Sequence, residues 1–318
     1  MTTADLSVIA DSEGTGWHLV EVAGDSKTIS TTSTNWVNWM FYKAPPEFYG
    51  KINSVTVYAK CYAAVASIGK AKIRIKTHDT VYEGDEQTLT TTSTYYSKTW
   101  STNPNTSSAW TMDEVIDLQI GVALKSNGSQ NAYCDHVYCT VNYDAIGTTT
   151  VSILRPNGAG DVTKNAKYPT ASQNYQCVDE ASPNGDTDYV YYGASPYYDL
   201  YTLPTVTVGR VQWVSVITVC ETTSASYTGN FDNYIKTHGT EYYHREGHKN
   251  DIVWHTFTWF WRLNPNTNET WTQSEIDDLQ AGIGLSGEQY AGPCCTQLFV
   301  KVCHYRLSQG PRSGVIGL

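Results

Sequence analysis

The chain has 318 residues, of which 16% are charged, 24 are Tyr and 10 are Trp, and its formal net charge is −10. That charge excludes a general nucleic-acid or anionic-membrane binder, which needs a basic face to displace counterions, and no Lys/Arg cluster stands out. Abundant Thr, Ser and Tyr favour strands, and no apolar run reaches the roughly 18 residues that predict a membrane helix.

Residues 6–10 predict a first strand, followed by a Gly-containing turn at 14–16. No basic segment followed by an apolar one precedes it, so no conventional signal peptide is expected; what is expected is either release by lysis of the producing cell or earlier processing of the chain, and the initiating Met1 favours the former. Residues 28–34 read as an edge strand or loop, and 36–42 as an aromatic strand closed by Pro45 and Pro46. In 52–62, Val55, Val57, Ala59 and Cys61 alternate as the buried face of a strand; 72–78 alternates in the same way. A closing strand is expected at 133–143.

Trp100 to Leu124 recurs as Trp261 to Leu285, with 13 of 25 positions identical, which marks a duplicated domain. Each copy predicts strand, Asn-Pro-Asn turn, short helix and strand. Thr111 with Glu114, and Thr272 with Glu275, fit capping boxes that start the helix; Gly121 and Gly282 are expected to stop it after about two turns. The expected organisation is all-β: two tandem antiparallel β-sandwiches, jelly-roll-like, each with one short capped helix. They span 1–146 and 147–307, joined by a short linker, with a tail at 308–318 that orders against a partner.

Of eight cysteines, Cys61 matches Cys220 and Cys134 matches Cys295, as buried thiols or as disulfide partners of unknown pairing. Cys134 and Cys139, five apart on one strand, are expected on opposite faces. Asp179, Glu180, Asp186 and Asp188 form an oxygen-rich segment able to hold calcium, with a solvated loop as the plainer reading; no other cofactor is expected, and Asp161 is a lesser member of that kind. His244 and His248 lack the zincin pattern and suggest a hairpin tip, whereas His78 and His238 read as matched structural groups at strand ends. Trp36, Trp39, Trp254, Trp259 and Trp261 are placed to meet a sugar, another subunit or the core. No nucleophile elbow, Walker loop or dinucleotide fingerprint is present, so no enzyme is expected.

Residues 154–161 (Leu-Arg-Pro-Asn-Gly-Ala-Gly-Asp), 177–183 (Cys-Val-Asp-Glu-Ala-Ser-Pro), and the repeated Asn-Pro-Asn-Thr and Trp-Thr motifs resemble repeated β-sandwich proteins of tailed bacteriophages and metagenomic viral contigs. The resemblance implies a structural virion component of fibre, decoration or adsorption type. The expected role is self-assembly or docking among virion or extracellular-filament subunits, without nucleic acid or membrane insertion. The alternative is a carbohydrate- or receptor-binding module that meets surface glycans through aromatic platforms.

Overall fold

The computed structural model describes residues 2–11, 28–192, 197–223, 229–249, 252–287 and 292–307, apart from the side chains of 10, 11 and 246–249. The expected tail at 308–318 lies outside the described residues.

The first ten strands are β1 (Thr2–Asp11), β2 (Ile29–Thr31), β3 (Val37–Lys43), β4 (Gly50–Ala63), β5 (Lys70–Thr77), β6 (Thr80–Glu83), β7 (Gln87–Thr88), β8 (Thr94–Trp100), β9 (Gln119–Lys125) and β10 (Ala132–Ala145). Helix α1 (Met112–Ile116) lies between β8 and β9. One layer runs β1-β10-β4-β8 and the other β3-β9-β5-β6. Strand β1 belongs to both: residues 2–7 pair with β10, then the chain bends and Val8 pairs with Lys43 of β3. With the eight principal strands counted in chain order, the layers are 1-8-3-6 and 2-7-4-5, the jelly-roll order.

The second copy repeats that order. Its strands are β11 (Thr148–Leu154), β12 (Gly158–Thr163), β13 (Ala166–Tyr168), β14 (Tyr189–Tyr191), β15 (Tyr198–Thr202), β16 (Arg210–Thr222), β17 (Gly229–Thr237), β18 (Thr240–Lys249), β19 (His255–Trp261), β20 (Gln280–Gly287) and β21 (Pro293–Arg306), with α2 at Gln273–Asp277. One layer contains β11, β21, β16 and β19, extended by β13 and β14; the other runs β12-β15-β20-β17-β18. Among the described residues no strand pairing joins the first ten strands to the last eleven.

Alternation builds the core. Val55, Val57, Ala59 and Cys61 point inward from β4 against Ile73, Ile75, Ile120 and Val122 of the facing layer, all buried. Each such aliphatic contributes roughly 1.5–3 kcal/mol by leaving water.

Three local expectations are corrected. The helices are five residues long, and Asp117 and Asp278, in right-handed helical conformation, occupy their C-caps. Gly121 and Gly282 lie inside β9 and β20, where a Cβ would strike the backbone carbonyls of Trp39 and Asp199 on the adjacent strand. Close approach, not a left-handed cap, requires glycine there. Cys134 and Cys139 both face the core, because a bulge between Cys134 and His136 inserts one residue and restores the inward phase. The second-copy hairpin tip is not at 244–248, which lies within β18, but at His238-Gly239, both with positive φ, matching His78-Asp79.

Candidate binding surfaces and the domain interface

The duplicated stretch closes one end of each sandwich. Thr111 Oγ1 accepts from the Glu114 amide at 3.2 Å while the Thr111 amide donates to Glu114 Oε2 at 2.8 Å; Thr272 and Glu275 repeat this at 3.3 and 2.7 Å. The same glutamates reach the hairpin tips, at 3.7 Å from His78 Nε2 and 2.7 Å from His238 Nε2. The buried Asn103 and Asn264 amides donate to Thr77 and Thr237, and the Trp110 and Trp271 indoles donate to the carbonyls of Trp100 and Trp261. Most of the repeated residues are therefore structural ties.

Between the copies the contacts are extensive. Trp213, buried on β16, donates its indole N–H to the Pro46 carbonyl at 2.9 Å, and Gln212 donates to Phe48 O at 3.1 Å. Ile116 of α1 packs with Trp213 and Cys303 in one apolar cluster. Lys301 pairs with Glu47 at 2.7 Å, Arg262 with Asp117 at 2.9 Å, and Tyr49 stacks on Tyr305 with ring centres 3.6 Å apart. Burial pushes the Asp117 carboxyl up against the pull of Arg262. A polar cavity of about 400 Å³ opens beside this pair, lined by His78, Asp79, Asp113, Glu114 and Arg262 among others.

The interface is head-to-tail, and the matching positions at the free ends differ from it. Asp277, exposed, stands where Ile116 stands in α1. By the strand registers, Ser54, Asn53 and Asn142 occupy the places of Trp213, Gln212 and Cys303.

The five tryptophans do not form one row. Trp36 is half-buried beneath the ammonium groups of Lys72 and Lys125. Trp39 and Trp261 pack against the core, and Trp254 lies near Gly185. Trp259 stacks on His244 at 3.3 Å and meets Tyr42 of the first copy edge-on at 5.0 Å, which makes it an interface residue. Burial there pushes the His244 imidazole down to about 4. The His248 side chain lies outside the described residues.

The half-exposed aromatic surface is instead made of tyrosines. On the outer face of β4 and β10, Tyr58 stacks on Tyr138 and Tyr62 on Tyr133, with ring centres 4.8 and 4.6 Å apart. His136 stacks on Tyr138, and its Nδ1 lies 3.0 Å from the exposed Tyr95 hydroxyl. A second ladder, Tyr198-Tyr234-Tyr243, crosses the outer face of the other layer in the second copy at 4.6 and 5.0 Å. Gly284 makes room for it, since a Cβ there would meet the Tyr234 ring. In both ladders the ring faces are turned to one another. Sequence reasoning centred on Trp missed them; the alternate spacing of Tyr58, Lys60 and Tyr62 against a buried face was the available signal.

Hydrogen bonds and burial hold the acidic segment in place. Among the described residues no cluster of three or more His, Cys, Asp or Glu is arranged to hold a metal. Burial, with the neighbouring Asp188 and Asp179 carboxylates, pushes the Glu180 carboxyl up to about 8. The Glu180 carbonyl accepts from Arg155 Nε at 3.0 Å and from Gln297 at 2.7 Å, and Asn184 donates to Asp188 at 2.7 Å. Arg155 thus ties residues 154–161 to residues 177–183, so these two sequence motifs form one clasp. Asp161 pairs with Lys236 at 2.6 Å.

All eight cysteines are buried free thiols. Cys61 faces Cys134, and Cys220 faces Cys295, in the strand registers. Burial raises the Cys139 and Cys303 thiols to about 12 and the Cys177 thiol to about 11, so these three are not nucleophiles at neutral pH.

No family model matches the chain, and no curated protein matches it. Among solved structures, the N-terminal CBM22-1–CBM22-2 tandem domain of Paenibacillus barcinonensis Xyn10C is 9% identical with a TM-score of 0.22, covering 93% of this chain and 97% of that one. A beta-porphyranase of glycoside hydrolase family 86 from Bacteroides plebeius is 7% identical with a TM-score of 0.26, covering 87% of this chain and 38% of that one. A structure of the infectious bursal disease virus Gx strain is 8% identical with a TM-score of 0.21, covering 97% and 77%. At such scores these likenesses carry no argument about function. No helix among the described residues is long and apolar enough to cross a membrane.

Proposed function

We propose that the chain is a non-enzymatic structural protein, a stiff pair of jelly rolls that docks into a virion or related extracellular assembly. The observation that carries this reading is the tyrosine face of β4 and β10, where Tyr58, Tyr62, Tyr95, Tyr133 and Tyr138 lie side by side on an outer sheet surface. Aromatic residues are enriched in protein interfaces, and stacked cross-strand rings present a pre-ordered surface with little entropy left to lose. The head-to-tail contact between the copies does not supply the assembly interface, because Asp277 and Ser54 replace Ile116 and Trp213 at its free ends. Head-to-tail growth is therefore blocked and other faces must serve.

The side-chain chemistry supports a role without catalysis. Ser152 lies 3.2 Å from His304 Nε2, but Nδ1 of that ring accepts the Gly209 amide. The proton then sits on Nε2 and the ring cannot act as base toward the hydroxyl. Negative-stain electron microscopy of the purified chain over a concentration series tests the reading. Ordered multimers are expected, and a monomer at every concentration would count against self-assembly.

A further inference from the structure

Two pairs of thiols occupy the same place in the two jelly rolls. Cys61 of β4 stands directly opposite Cys134 of β10, and Cys220 of β16 stands directly opposite Cys295 of β21. All four are buried. Among the described residues no other cysteine faces a cysteine in a strand register: Cys139 faces Val57, Cys303 faces Trp213 and Cys294 faces Glu221.

The rungs of an antiparallel ladder alternate between hydrogen-bonded and open, and the open ones bring side chains closer together. The Ala64 amide donates to the Asn131 carbonyl at 2.9 Å, so that rung is hydrogen-bonded. Cys61 and Cys134 lie three rungs inward, which makes theirs open. In the second copy the Thr223 amide donates to the Gly292 carbonyl at 3.3 Å, and Cys220 with Cys295 is again three rungs inward and open. Opposed Cα atoms in an open rung are about 4.5 Å apart, inside the span of about 4.4–6.8 Å that a disulfide bridges.

The two copies also orient one thiol of each pair alike. A bulge inserts Asp135 after Cys134 and Thr296 after Cys295. Beyond it, the His136 carbonyl accepts from the Cys134 thiol at 3.6 Å and the Gln297 carbonyl from the Cys295 thiol at 3.2 Å. Each pair lies two residues from the rim, since β4 ends at Ala63 and β16 at Thr222 while β10 begins at Ala132 and β21 at Pro293.

We infer that each jelly roll carries a disulfide site, Cys61 with Cys134 and Cys220 with Cys295, which closes in an oxidising medium and staples the two central strands of its layer. The oxidant is a small-molecule disulfide. One cysteine thiolate attacks it, forming a mixed disulfide and expelling one small thiolate; the facing thiolate then attacks the protein sulfur and expels the second. Each pair loses two electrons and two protons, and the oxidant takes up both as two thiols. Burial holds the Cys61 and Cys220 thiols well above their ordinary range, so the closed rim oxidises slowly. The bond forms while the chain folds, or when the last rungs of the ladder open. The inference is independent of the docking reading, because a monomer would form the same two bonds.

Refolding the full chain from urea in mildly alkaline buffer with oxidised glutathione tests it, with disulfides mapped by mass spectrometry beside a reduced sample. Two internal bonds are expected, with the loss of four hydrogens and proteolytic fragments joining Cys61 to Cys134 and Cys220 to Cys295. Cys139, Cys177, Cys294 and Cys303 should remain open to alkylation once the chain is denatured. A second sample, oxidised for days without unfolding, should reach the same two bonds more slowly. The bonded residues are 73 and 75 apart in sequence, so the oxidised chain should unfold at roughly 1 M higher urea than the reduced one. Cys61→Ala should lose the first bond and keep the second. Eight alkylatable cysteines in both samples, glutathione adducts in place of internal bonds, or bonds to any other cysteine would overturn the inference.

Discussion

The indole N–H of Trp213 donates to the carbonyl of Pro46 at 2.9 Å, joining residues 167 apart in sequence across the boundary between the two jelly rolls. Ile116 and Cys303 close around it, so the boundary has a small apolar core of its own. Trp213→Ala should cost about 3–5 kcal/mol by emptying this site, and Trp213→Phe about 1–2 kcal/mol by orphaning a buried acceptor. Thermal unfolding followed separately by near- and far-ultraviolet circular dichroism checks it. The wild type should show one transition and Trp213→Ala two, as the domains uncouple.

Gly282 and Gly121 test the close strand approach. A Cβ at Gly282 would meet the Asp199 carbonyl, so Gly282→Ala should lose about 2–3 kcal/mol through overpacking, and Gly121→Ala a similar amount. Urea denaturation midpoints measure both. An unchanged midpoint would restore the helix-cap role that the sequence suggested.

His244 links stability to pH. Burial beside Trp259 lowers its pKa from an ordinary 6.5 to about 4, so between these values the unfolded chain binds a proton that the folded chain refuses. The stabilisation is complete above pH 6.5 and is lost as pH falls toward 4. With allowance for solvent screening at this half-buried ring, on the order of 1–2 kcal/mol is at stake. Melting temperatures of wild type and His244→Phe across this window check it; the variant should show the shallower decline.

Glu180 carries the opposite sign. Its pKa rises from 4.5 to about 8 in the fold, so the folded chain holds the extra proton and this contribution, full below 4.5, fades as pH rises to 8. Glu180→Gln mimics the protonated acid. It should raise the melting temperature at pH 8, by about 1–2 kcal/mol of stability after screening, and leave it nearly unchanged at pH 4.5.

What could be read in the sequence was local. The capping boxes of Thr111 and Thr272 follow from residues three apart, and the inward faces of β4 and β5 from simple alternation. The bulge after Cys134 was hidden because nothing in its composition marks the extra residue. Gly121 and Gly282 looked like helix stops because their reason for being glycine lies on another strand. The alternating Lys70 to Lys76 was visible as a strand, but its partners Glu83, Glu86 and Trp36 are brought to it only by the sheet. The tyrosine ladders and the Trp213 contact were likewise matters of register, and the tandem did not prove symmetrical: the copies share a framework and differ in their outer faces.

Sedimentation velocity of the wild type beside Tyr58→Ser/Tyr138→Ser, from micromolar to the highest soluble concentration, addresses the docking face most directly. The account predicts a concentration-dependent multimer in the wild type that is lost in a variant with unchanged circular dichroism. A wild type that stays at the 35.3 kDa monomer throughout, or a variant that associates as well as the wild type, would contradict it.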